Sequence, residues 1–157
     1  MKRLQDYTLD QTGLNWATVL SPWAWLLPSE LTVWLVNRLG DIFAVLDGEA
    51  VHMMDVGRGT LEEVAPNRDA FAELADQGQN AEGWFAIPLV NDLVATGMTL
   101  GAGQCYSYKK LPIIGGSYEV ENFRVLPLEQ HYRTFGPIHK ALKDVPDGTS
   151  VRSRTDG

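Results

Sequence analysis

The sequence contains a single cysteine, Cys105, in 157 residues, so an intramolecular disulfide is excluded. The opening residues MKRLQDYTLD lack the uninterrupted apolar segment of a signal peptide, and we therefore expect a cytoplasmic protein. Long apolar runs are also missing: WAWLLP at 23–28 ends at Pro28 and is far shorter than the about 20 residues that cross a bilayer. The sequence therefore predicts no membrane span.

Motifs for cofactors, metals and nucleotides are equally scarce. The glycines of TLGAGQC and IIGGS form neither a dinucleotide fingerprint nor a P-loop. His131 and His139 are eight residues apart, two helical turns, whereas ligands of one metal normally lie three or four residues apart, and His52 is remote from both. We therefore expect no cofactor, no metal and no catalytic residue.

Basic residues are rare in the middle of the chain. The net charge is −7, and between Asp41 and Asp92 eleven acidic residues stand against Arg58 and Arg68. Such a segment repels nucleic acid and anionic lipid and attracts a basic protein, at a rate that salt reduces. The alternative interpretation is a solvated surface whose charge keeps the protein soluble. Nucleic acid and membranes are not expected as partners.

Hydrophobic periodicity predicts an antiparallel meander followed by helices. LTVWLVNRL, IFAVL and AVHMMD have strand patterns, separated by turns at 40–41 and 47–48, and TLEEVA at 60–65 is a candidate fourth strand. Because apolar residues occupy both faces of LTVWLVNRL, we expect that strand to be covered on both sides. Thr149 to Val151 is a candidate edge strand.

Helices are predicted at four places. The first, rich in aromatic residues, begins near Leu14 and is interrupted at Ser21-Pro22. The second is capped by Asn67 and ends at Gly78, and the third runs from about Ala86 to Gly97. The fourth starts at Pro127 and is kinked at Pro137. The fold class is therefore α+β, an antiparallel meander packed against several helices. We expect one domain over 1–157, with flexible ends at 1–13 and 152–157.

The stretch GQCYSYKKLPIIGGSYEVEN, residues 103–122, combines a strand, a loop and a second strand. We expect Tyr106 and Tyr108 to pack, Gly115-Gly116 to turn the chain, and Asn122 to secure a bend, with YEVENFRVL a strand broken near 121–122. Cys105 fits a small buried hydrophobe. The alternative is a thiol nucleophile with His131 or His139 as base.

This stretch resembles the immunity-protein domain of bacterial type VI secretion, a family long described as a domain of unknown function, with its pattern G-x-C-Y-x-Y-K-x-x-P-x-x-G-G-x-Y-x-x-x-N. The likeness runs from about Leu14 to Val151 and includes WLVNRLGDIFAVLDGEAVHMMDVGRGTLEEVA, NRDAFAELADQ, WFAIPLVNDLVATGMTL and HYRTFGPIHKALKDVPDGTSV. The KKLP version of the loop departs from the family's more usual double-proline form.

The resemblance implies a non-catalytic cytoplasmic antitoxin that binds a cognate effector toxin, often a nuclease, and blocks it by occlusion. The candidate partner-binding residues are Asp47, Glu49, Asp55, Lys109, Lys110 and Ile113. One alternative is a generic interaction or regulatory adaptor without a toxin partner, which differs by binding nearer micromolar than nanomolar affinity. The other is an enzyme that uses Cys105 and a histidine.

Overall fold

The β-branched and aromatic segments between residues 32 and 65 form an antiparallel sheet in the computed structural model, which describes residues 4–46 and 48–143. Its strands are β1 (Thr32–Val36), β2 (Ile42–Leu46), β3 (Ala50–Asp55) and β4 (Thr60–Ala65), in the order β1-β2-β3-β4. Each pairs antiparallel with the next. The predicted meander is confirmed, including its fourth strand.

The strand that is covered on both sides is β2, not β1. All five residues of β2 are buried, whereas Val36 alone is buried in β1. β1 lies at the edge of the sheet, and its register shifts between Val33 and Leu35, as in a β-bulge. The expected cover of the first strand is only partial: Val33, Trp34 and Leu35 pack against the core but stay half-buried, because an edge strand has a neighbouring strand on one side only.

Three helices cover one face of the sheet: α2 (Arg68–Ala75), α3 (Asn80–Trp84) and α4 (Ile87–Ala95). A first helix, α1 (Trp16–Val19), precedes the sheet in the chain. Asn67 caps α2 as predicted, since its side chain accepts a hydrogen bond from the Ala70 N–H at 2.7 Å. Phe71 of α2 contacts Phe43 of β2, with ring centroids 5.3 Å apart, and stacks on Trp84 at 4.6 Å. These aromatic contacts fix the helices on the Phe43 side of the sheet.

A second, two-stranded sheet consists of β5 (Gln104–Tyr108) and β6 (Phe123–Pro127), and the chain continues into α5 (Leu128–Leu142). The predicted strand YEVENFRVL is wrong in its first half. Residues Val120–Asn122 form a 3-10 turn instead. The reason is Asn122, whose side chain bonds to the loop backbone and so prevents an extended strand from starting before Phe123.

The N-terminal segment packs against α5. The predicted interruption at Ser21-Pro22 is confirmed: α1 ends at Val19, and a 3-10 turn, Ser21–Trp23, follows. The Trp23 indole Nε1 donates to the Tyr132 carbonyl at 3.1 Å. Gly136 permits this approach, because a Cβ there would collide with the Pro22 carbonyl. α5 continues through Pro137.

Residues 4–13, expected to be a flexible lead-in, contact the rest of the fold. Tyr7 is buried and donates to Asn91 Oδ1 at 2.8 Å, and Thr8 pairs with Asn37. The candidate strand at 149–151 and the tail 152–157 lie outside the described residues. Within residues 4–46 and 48–143, no helix has the length and apolar character needed to cross a membrane.

Candidate functional site

A buried pair, Asn37 and Asp41, organises the turn between β1 and β2. The Asn37 Nδ2 donates to Asp41 Oδ2 at 3.0 Å and to the Trp84 carbonyl at 2.9 Å. Its Oδ1 accepts from the Leu39 and Asp41 N–H groups at 3.0 and 2.9 Å. Asp41 Oδ1 accepts from the Val56 N–H at 2.9 Å. The pair therefore joins the β1–β2 turn to the β3–β4 turn and to the end of α3.

These three segments, together with residues 109–122 (the 109–122 loop), enclose a cavity of about 830 Å³ that we term the acidic groove. Each segment contributes to its wall. The lining residues are Leu39 and Asp41 from the first turn, Met53, Asp55, Arg58 and Thr60 from the β3–β4 hairpin, Glu82, Gly83, Ala86, Pro88 and Leu89 from α3 and α4, Tyr108 from β5, and Pro112, Ile113 and Tyr118 from the loop.

A smaller cavity of about 410 Å³ continues the groove along α4. It shares Pro88, Leu89 and Tyr118 with the acidic groove. The residues that it adds are Asp92, Glu119, Val120 and Glu121. Together the two cavities are bordered by six acidic residues and one basic residue, Arg58, so acidic side chains outnumber basic ones in the whole depression.

The 109–122 loop is held by Asn122, as the sequence predicted. The Asn122 Nδ2 donates to the carbonyls of Lys110 and Ser117 at 2.8 and 2.7 Å, and its Oδ1 accepts from the Lys110 N–H at 3.0 Å. Gly115 turns the chain with a φ of 103°, in the left-handed region. Fixed in this way, the loop exposes about half of Ile113 and of Tyr118 on the groove wall.

The turn that carries Arg58 is clamped between aromatic side chains. Tyr108 is buried under it, and a Cβ on Gly57 would lie 2.7 Å from the Tyr108 hydroxyl and 3.2 Å from that of Tyr118. On the other side, the His139 Nε2 lies 2.7 Å from the Val56 carbonyl. Arg58 Nε in turn lies 3.4 Å from Asp55 Oδ2. The turn thus presents an ion pair at the groove from a fixed backbone.

Backbone strain is located in the groove at Ala86. Its φ of 50° and ψ of 43° place it in the left-handed region, and it is the one non-glycine residue with positive φ among those the structure describes. For an L-residue with a Cβ this conformation costs about 1–2 kcal/mol. Ala86 precedes α4 and sets the direction of that helix as it leaves Phe85.

Burial changes the electrostatics of the groove floor. Removal from water, and then the charge of Asp55, raise the pKa of Asp41 to about 8. The hydrogen bonds from Val56 and Asn37 act in the opposite direction, as does Arg58, and do not overcome burial. The neutral acid is therefore favoured at Asp41, and the negative charge of the groove comes from Asp55 and Glu82.

The groups that suggested chemistry are buried away from this surface. Cys105 is free and fully buried, and burial raises the pKa of its thiol. Ser107 Oγ lies 2.7 Å from His131 Nδ1, but both side chains have no exposed area, and burial lowers the pKa of His131 to about 3. Cys105 therefore packs as a small apolar side chain, and the thiol-nucleophile alternative lacks both access and a thiolate. No group of three potential metal ligands occurs within residues 4–46 and 48–143.

The structure separates the five candidate partner-binding residues that it describes. Asp55 and Ile113 line the acidic groove together. Lys109 and Lys110 are exposed at the start of the 109–122 loop, outside the groove wall. Glu49 is exposed at the opposite end of β3 from Asp55, about 20 Å away for six residues of strand. Asp47 lies outside the described residues.

Sequence reasoning missed several residues of the groove. Glu82, Asp92, Tyr118 and Glu119 lie on its wall or on that of its continuation. The high density of acidic residues between Asp41 and Asp92 indicated an acidic region, but charge density alone does not predict which carboxylates lie on the same face of the fold. Tyr118 was assigned to a strand, an assignment that hides its exposure in a loop.

Comparison with known proteins concerns the second half of the chain. Residues 65–139 match the family model described as "T6SS immunity protein Tdi1, C-terminal". The matched segment runs from the last residue of β4 into α5 and contains the whole 109–122 loop. The resemblance to type VI secretion immunity proteins is thereby confirmed. No curated protein sequence matches the chain.

Proposed function

Residues 65–139 match the family model of a type VI secretion immunity protein, and on that premise we propose that this chain neutralises one cognate effector toxin, a nuclease, by binding it and occluding its active site in the cytoplasm. An immunity role in general follows from the family. The class of toxin, the mode of inhibition, the compartment and the contact residues are our proposal.

The observation that carries the proposal is the contrast between the interior and the surface. The thiol, the imidazole and the serine hydroxyl that could do chemistry are buried around Cys105 and His131, whereas an apolar, acidic depression is open to solvent. A protein that acts by binding a partner needs an open surface depression and does not need accessible reactive side chains. Non-catalytic binding is therefore the activity that this arrangement supports best.

The charge of the surface favours a nuclease as partner. A nuclease holds its substrate with basic side chains that neutralise phosphates. Between Asp41 and Asp92 eleven acidic residues stand against two arginines, and apart from the buried Asp41 they give this chain a charge of opposite sign, which steers association with such a domain. Covering the basic surface also keeps nucleic acid away from it, which is occlusion in its simplest form.

We include the six sequence-derived residues in the proposed contact surface. Asp55 and Ile113 lie in the groove, and Lys109 and Lys110 lie beside it. Glu49 precedes β3 at its far end, at a distance that an interface of about 800 Å² per partner can span only at its edge, and Asp47 is two residues before it in the sequence. Their contribution is therefore expected to be smaller than that of Asp55 and Ile113.

The test begins with the gene adjacent to the one that encodes this chain. Its product is expressed alone and together with this chain, with survival of the host and co-purification as the two readouts. We expect toxicity alone, rescue on co-expression, and a complex of nanomolar affinity, near −12 kcal/mol. A harmless product that forms no complex would contradict the proposal. A harmless product bound at micromolar affinity would favour the adaptor alternative.

A further inference from the structure

From the contacts in the acidic groove we infer which part of the toxin this chain recognises: a cationic segment whose arginine or lysine side chains pair with the carboxylates of the groove and its continuation while an apolar side chain packs against Ile113 and Tyr118. The inference rests on the proposed function and goes beyond it, because it assigns one surface of this chain and the chemistry of its occupant.

The apolar component of the groove is unusual for this chain. Among the described residues, four large hydrophobic side chains are about half exposed: Leu4, Val94, Ile113 and Tyr118. Two of them, Ile113 at 54% and Tyr118 at 50% exposure, line one cavity. Scattered apolar side chains need no explanation, whereas a pair on one concave wall marks a contact site. The cavity volume of about 830 Å³ gives room for such a contact.

The charge component selects the sign of the occupant. Glu82 lies in the acidic groove, and Asp92, Glu119 and Glu121 lie in its continuation. Within residues 4–46 and 48–143, none of these four carboxylates has an ion-pair partner, whereas Asp55 is paired with Arg58. A depression with several unpaired carboxylates repels phosphate groups and attracts guanidinium or ammonium groups. The occupant is therefore a cationic protein segment.

The walls of the groove are held in place before any partner arrives. Asn122 fixes the loop that carries Ile113 and Tyr118, and Asn37 ties the β1–β2 turn to the α3 end at Trp84. A preformed wall lowers the entropy lost on binding, which favours tight complexes. This arrangement suits a single cognate partner better than a set of weak ones.

The first test compares two charge reversals of equal size. Glu82→Lys/Glu119→Lys changes the groove and its continuation, and Glu63→Lys/Glu73→Lys makes the same change of charge outside both cavities. The probe is the product of the adjacent gene with its active site disabled. At about 0.02 M salt we expect the groove variant to associate at least tenfold more slowly than the control variant, and the difference to shrink at about 0.5 M.

The second test addresses the apolar contact with matched truncations. Ile113→Ala is expected to weaken the complex about 30-fold, mainly through faster dissociation, as for a central interface residue. Val94→Ala removes an equally exposed apolar side chain outside both cavities and is expected to leave the affinity within about twofold. Thermal unfolding of each variant checks that the fold is retained.

The outcomes separate the two proposals. A wild-type chain that does not bind the adjacent gene's product overturns the proposed function and the groove assignment together. A wild-type complex that the groove variants form as well as the control variants overturns the groove assignment alone. A self-association of the free chain that Ile113→Ala abolishes would show that a second copy occupies the groove, and would also overturn it.

Discussion

The carboxyl Oδ1 of the buried Asp41 accepts a hydrogen bond from the backbone N–H of Val56 at 2.9 Å. Its other oxygen accepts from Asn37, so both oxygens face donors. This one side chain fixes the β3–β4 turn relative to the β1–β2 turn, and with it the position of Asp55 and Arg58 on the groove. The stability of the site therefore depends on a titratable group that lies beneath it.

We predict that Asp41 makes the fold less stable as the pH rises from about 4 to about 8. Its folded-state pKa is raised to about 8, so in this window the native protein holds a proton that the unfolded chain has released. As the pH rises through this window, the free energy of unfolding falls by about 1.4 kcal/mol for each unit of pKa shift. Above the window the contribution of Asp41 is constant. Urea unfolding at pH 5 and pH 8 measures the difference.

The variant Asp41→Asn identifies the residue responsible. It cannot titrate, so the loss of stability that Asp41 causes between pH 5 and pH 8 is expected to be absent. The buried His131, whose pKa is lowered to about 3, acts with the opposite sign in both proteins, so the difference between wild type and variant isolates Asp41. It is also less stable by about 1–3 kcal/mol at pH 5, because its amide must face a donor at Val56 or at Asn37. Asp92→Asn, on the exposed side of α4, is the control and keeps the wild-type slope. Equal slopes in Asp41→Asn and wild type would refute the assignment.

We predict that Asn122→Asp loosens the 109–122 loop as much as Asn122→Ala does. Aspartate keeps an oxygen for the Lys110 N–H but turns a second oxygen toward the carbonyls of Lys110 and Ser117. Both variants should lose about 1–2 kcal/mol and show faster amide exchange in the loop. Hydrogen exchange resolved by residue measures this. An Asp variant with wild-type protection would mean that volume, not the two amide donors, holds the loop.

We predict that Ala86→Gly stabilises the fold by about 0.5–1 kcal/mol. Glycine adopts the φ of 50° without the penalty that Ala86 carries, which exceeds the extra entropy of glycine in the unfolded chain. Ala72→Gly, in the middle of α2 and exposed, is the matched control and should be destabilised by about 1 kcal/mol. The opposite signs are read from urea midpoints. A loss of stability in both variants would show that Ala86 is not strained.

The sequence predicted the local elements of this fold better than their arrangement. The meander, the Asn67 cap and the bend at Asn122 depend on residues close together in the chain, and all three are present. The groove depends on contacts such as Asn37 with Trp84, which are 47 residues apart. Periodicity carries no information on such pairs, so the regional acidity could be recognised while Glu82 and Glu119 could not be assigned to one face.

The last prediction concerns the thiol. Cys105 is fully buried, and burial raises its pKa, so the reactive thiolate forms only when the protein opens. At pH 7.5, Cys105 in native protein should react with iodoacetamide at least about 100-fold more slowly than in the denatured chain. This factor corresponds to a local opening of the fold that costs about 3 kcal/mol. A Thr99→Cys variant, in which the new thiol is exposed, provides the internal control and should take up one equivalent rapidly. Rapid modification of Cys105 itself in protein that keeps its native spectrum would return the thiol to the candidates for chemistry, because access and a reactive thiolate are what the structure denies it.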